Sequence, residues 1–89
     1  MVFIKSLIWD TDNLNHISKH HLTPNEVGEA CQHQLTVSES YRHLLLITGI
    51  TKLSKQLEIV LTPEDESGKQ YQKGTYYVIT AYQKETYEK

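Results

Sequence analysis

The chain of 89 residues holds one cysteine, two prolines, four glycines and a single arginine, Arg42. A lone Cys31 forms no internal disulfide and supplies no metal framework, which points to a reducing compartment. No repeat or low-complexity stretch is present, so solenoid and linker architectures are excluded. No apolar run approaches the roughly 18 residues of a transmembrane helix, and the stretch from Met1 to Trp9 is too short for a signal peptide. A cytoplasmic protein without membrane contact is expected. Charge of one sign is scarce too: nine Lys+Arg face eleven Asp+Glu, a net of −2. That balance is not the basic stripe of a typical nucleic-acid binder. The length fits one domain over residues 1–89. With 38% hydrophobic residues its core is thin.

Regular elements are legible in what remains. Phe3, Ile4, Leu7, Ile8 and Trp9 are β-prone and stop at Asp10-Thr11-Asp12-Asn13, whose short side chains favour turns and helix caps. A strand, then a short helix within 12–21 carrying Leu14 and Ile17 on a narrow apolar stripe, follows from that pattern. Thr23-Pro24-Asn25-Glu26 is the clearest local signal. Threonine can accept from the Glu26 amide, glutamate can reach back to the Thr23 amide, and proline suits the first helical position. A second helix therefore starts at Pro24, with Val27, Ala30 and Cys31 on one face. Cys31 reads as a small buried apolar residue, not a reactive thiol.

The second half of the chain reads as sheet. Residues 34–37 suit a short strand, and Arg42 to Ile50 has apolar residues on both alternating sets, as a central strand covered on both sides would. Leu57, Ile59 and Leu61 alternate with their neighbours, and Thr75 to Gln83 is rich in Tyr, Val, Ile and Thr. Between them Pro63 to Gly74 is polar and reads as an exposed loop. The expectation is an α+β domain: an antiparallel sheet of about four strands with two N-terminal helices packed on one face.

The stretch Ile8-Trp9-Asp10-Thr11-Asp12-Asn13-Leu14-Asn15-His16-Ile17-Ser18-Lys19-His20, followed by Leu22-Thr23-Pro24-Asn25-Glu26-Val27, resembles the N-terminal half of the BrnT family, small toxins of type II toxin–antitoxin pairs. The family pattern is a strand ending in Trp-Asp, a polar helix closing on a His-containing end, and a capped helix. Arg42 to Ile50, Leu57 to Leu61 and Tyr77 to Tyr82 resemble the later strands. The resemblance covers most of the chain. It implies a RelE-like fold and a ribonuclease that slows translation and is held inactive by an antitoxin, commonly one with a ribbon-helix-helix part. Where many members carry an arginine in the last strand, this chain has Tyr82.

Metal-independent RNA cleavage needs a base for the 2′-hydroxyl, groups that stabilise charge growing on the phosphate, and a proton donor for the leaving oxygen. Lys19 and His20 match the family's Lys-His and are the first catalytic candidates the resemblance implies. Arg42 can clamp a phosphate bidentately; its plain alternative is an ion pair with Glu39 or another carboxylate. Tyr82 is a fourth catalytic candidate. Lys84 and Glu85 are the RNA-binding candidates beside it, and a solvated terminus explains all three as simply. His16 and His20 have the i,i+4 spacing of a zinc pair but no third ligand, so neither a metal nor any other cofactor is expected.

Two functions follow. The first is a BrnT-like endoribonuclease toxin acting on mRNA, with an antitoxin and RNA as partners and either a homodimer or a toxin–antitoxin hetero-oligomer as its assembly. The alternative is a catalytically degenerate BrnT-like protein acting as a protein-binding module, motivated by the net charge and by Tyr82.

Overall fold

The computed structural model describes residues 1–84. Strand β1 spans Ser6–Ile8, helix α1 Thr11–Ser18, helix α2 Pro24–Gln32, and strands β2 Gln34–Glu39, β3 Leu45–Ile50, β4 Gln56–Thr62 and β5 Thr75–Gln83. The five strands form one sheet in the order β1-β5-β4-β3-β2. β2 through β5 pair antiparallel in sequence order, whereas β1 lies parallel to β5 with Ile8 opposite Tyr77. The architecture is thus α+β, as expected, but the sheet has five strands and is mixed. The reason is topological: the chain spends both helices between β1 and the meander, and β1 returns to the edge left free by the last strand.

Both helices begin on capping boxes. The Thr23 hydroxyl accepts from the Glu26 amide at 3.2 Å while the Glu26 carboxylate accepts from the Thr23 amide at 3.0 Å, the arrangement expected from sequence. Asp10 and Asn13 repeat it for α1, at 3.0 and 2.8 Å. Asn13 does more. Only 2% exposed, it donates its side-chain amide to the carbonyls of Ile8 and Val78 at 2.9 and 3.0 Å. β1 pairs with β5 only as far as Tyr77, so from Val78 onward the edge of β5 is open, and α1 packs there. At the far end of α1, His21 adopts φ 61°. The His21 amide bonds Ser18 and the Leu22 amide bonds Ile17, a Schellman closure that turns the chain and buries Leu22.

One alternating set of sheet residues, including Ile47, Leu57, Ile59, Leu61, Val78 and Ala81, is buried in a single cluster with Ile17, Val27, Ala30 and Cys31 of the helices. α2 approaches β3 so closely that a Cβ on Gly49 would collide with the Ala30 carbonyl. Burial pushes the Cys31 thiol up to about 12, in keeping with an inert packing residue. The opposite set stays open: Leu46 is 41% exposed and Ile79 39%. β3 is therefore covered on one side only, against the expectation of a strand buried on both. Its start also differs. Arg42 and His43 lie outside the strand, both left-handed at φ 60° and 62°, in a turn closed by Leu44 N–H to Tyr41 C=O at 3.3 Å.

Candidate functional site

Three of the six candidate residues meet at one end of the open sheet face. Tyr82 and Glu58 are cross-strand partners on β5 and β4, and the Tyr82 hydroxyl donates to a Glu58 carboxylate oxygen at 2.8 Å. Lys84, just past β5, brings its ammonium to 3.7 Å from the other oxygen. Because α1 runs along the edge of β5, the turn just past its C-cap delivers His20 beside Tyr82, with ring centroids 6.2 Å apart. His16, one helical turn earlier, stands 5.6 Å from His20. The hydrogen bond to Glu58, then burial, holds the Tyr82 phenol above its usual value, so it stays a donor at neutral pH.

Lys19, next to His20 in the chain, is the C-cap of α1 and is exposed. Glu85 lies outside the described residues. Glu58 is the residue that sequence reasoning passed over: in a strand alternating with Leu57 and Ile59 it reads as ordinary solvent-facing charge, and only the β4–β5 register reveals that it fixes Tyr82 and Lys84.

Arg42 is not part of this group. It precedes β3 at the end where Leu45 pairs with Leu61, three residues of β4 away from Glu58, or roughly 10 Å of strand at about 3.3 Å per residue. The ion pair considered for it with Glu39 is made instead by His43, whose Nδ1 lies 3.0 Å from Glu39. Arg42 sits 5.8 Å from the Tyr41 ring centroid and lines a groove of about 800 Å³ between the open sheet face and the loop after β4.

Chemically, the His20 end offers an imidazole, together with a phenol and an ammonium that the Glu58 carboxylate orders. Imidazole is the side chain suited to exchange a proton near neutral pH. The ammonium suits an anionic oxygen, while the one phenol proton is held by Glu58. No family model, no curated protein and no solved structure matches this chain. Among the described residues, no group of three or more His, Cys, Asp or Glu side chains is arranged to hold a metal ion, and no helix is long and apolar enough to cross a membrane.

Proposed function

We propose that this chain is a small endoribonuclease that cleaves mRNA and inhibits translation, the toxin of a type II toxin–antitoxin pair with a BrnT-like sequence and a RelE-like arrangement of its sheet. The observation that carries the reading is His20 beside Tyr82, with Glu58 bound to the phenol through one oxygen and facing the Lys84 ammonium with the other. In this reading His20 exchanges the proton of the 2′-hydroxyl or the leaving oxygen. Lys84 and Lys19 offset the charge of the phosphate, while Tyr82, whose one O–H proton goes to Glu58, and Glu58 itself are positioning residues beside His20. Its partners are RNA and an antitoxin with a ribbon-helix-helix part, in the cytoplasm.

The test is induction of the chain alone in bacteria. Growth arrest with mRNA breakdown is expected, and His20→Ala together with Lys19→Ala abolishes both while the purified variant keeps the Tm of the parent. Undisturbed growth and intact mRNA with soluble protein overturn the reading.

A second reading, a BrnT-like protein without cleavage that serves as a protein-binding module, is favoured by one observation: the groove at the other end of the open face is rimmed by carboxylates, which repel RNA. Soluble, folded protein that leaves RNA intact yet binds a protein partner is what this reading expects.

A further inference from the structure

The groove beside Arg42 is built from elements the ribonuclease reading does not use. Its floor is the open face of the sheet: Ile8 of β1, Ile79 of β5 and Leu44 before β3. One wall is the loop that follows β4, which folds back on itself through an isolated bridge between Glu64 and Gln70. That loop is fixed by Asp65, whose carboxylate accepts from the Ser67 amide, the Ser67 hydroxyl and the Lys69 amide at 2.9, 2.6 and 3.0 Å. The wall is thus held by its own hydrogen bonds, and the Tyr71 amide closes it by donating to the Pro63 carbonyl at 2.9 Å.

Four carboxylates and one guanidinium line this groove: Asp10, Glu64, Asp65 and Glu66 against Arg42. Two of the carboxylates are already engaged, Asp65 within its loop and Asp10 by the Tyr77 hydroxyl, 3.0 Å from both of its oxygens. Among the described residues, the side chains of Glu64 and Glu66 have no hydrogen bond or ion pair. The Tyr71 and Tyr77 rings stand among these charges. Burial first, then Asp65, Asp10 and Glu66, hold the Tyr71 phenol above its usual value, which marks the ring as lying in a negative field. An apolar floor, two tyrosine rings and two unengaged carboxylates form a place for a cation on an apolar stem, which gains from the ring faces as well as the charges.

We propose that this groove docks a basic segment of a protein partner, seating apolar side chains on Ile8, Leu44 and Ile79 and an arginine or lysine between Tyr71 and the carboxylates of Glu64 and Glu66. Charge complementarity selects this occupant. A nucleic acid brings phosphates against an excess of carboxylates, and an acidic segment meets the same repulsion. The volume of about 800 Å³ is that of a site for several side chains, larger than a lone amine requires. The inference stands apart from the ribonuclease reading, since the groove lies at the opposite end of the sheet face from His20 and Tyr82.

The experiment uses the full chain and a short labelled peptide alternating leucine with arginine, read by fluorescence anisotropy at low salt. Binding is expected, weakening as salt rises. It falls about tenfold when Glu64→Gln and Glu66→Gln are combined, and is lost in Ile79→Lys, which places a cation on an exposed part of the floor. Lys84→Ala, at the other end, leaves it unchanged. A peptide with glutamate in place of arginine binding equally well overturns the proposal. So does affinity indifferent to both groove variants.

Discussion

Asn13 is one of two polar residues buried in the described part of the chain, with Thr51. It accepts from the Asp10 amide and donates to two carbonyls, one at the end of β1 and one 65 residues away on β5. A buried carbonyl left without a donor costs about 1–3 kcal/mol, so Asn13→Leu, which keeps the branched shape and removes all three side-chain bonds, is expected to lower stability by about 2–5 kcal/mol. Urea unfolding followed by circular dichroism checks this; a midpoint within error of the parent would show the amide to be dispensable. In sequence, Asn13 is indistinguishable from the polar residues around it on α1, because its second partner is set by tertiary pairing. Cys31 is the opposite case. Its burial follows from helical spacing with Val27 and Ala30, all three fully inside the core.

Elements were legible in proportion to how local their causes are. The start of α2 rests on four adjacent residues and lies where Thr23-Pro24-Asn25-Glu26 puts it. The start of β3 does not follow from hydrophobic pattern, because Arg42 and His43 occupy left-handed conformations that L-residues enter at a cost of about 1–2 kcal/mol each, and nothing in their side chains announces it. The exposure of Leu46 is likewise hidden, since apolar residues on both sets of a strand look alike whether or not a second layer arrives. The α2 capping box also makes stability pH-dependent. The Lys55 ammonium, 2.8 Å from Glu26, is the main cause holding that carboxyl below its ordinary 4.5, with the Thr23 amide assisting. A lowered folded-state value means that the stabilisation is fully present above about pH 4.5 and disappears as pH falls through the lower value. Tm measured from neutral pH downward should therefore drop below pH 4.5 more steeply for the parent than for Glu26→Gln. Parallel curves would remove Glu26 from the acid transition.

At the scale of the whole molecule, near-neutral charge conceals segregation. Lys84 lies toward one end of the open sheet face, beside the end of α1 that carries His16, Lys19 and His20, and the carboxylate-rimmed groove lies toward the other, a division that a net of −2 does not disclose. The α+β class was readable from element order. The parallel seating of β1, which brings α1 along β5 and so unites His20 with Tyr82, was not, because it depends on which edge the last strand leaves free. Segregation gives RNA binding a particular form. In the proposed ribonuclease reading phosphates contact only the end with Lys19 and Lys84, so the affinity for a single-stranded RNA should fall with salt on a shallow slope, about −0.7 per phosphate neutralised. Lys84→Ala should flatten that slope by about one such step. Arg42→Ala, at the acidic end, should leave it unchanged, and Glu64→Gln with Glu66→Gln should raise affinity slightly at low salt by easing repulsion. Anisotropy titrations across a salt series separate these outcomes. A slope that flattens with Arg42→Ala and not with Lys84→Ala would move the RNA path to the groove and sink the assignment of His20, Tyr82 and Glu58.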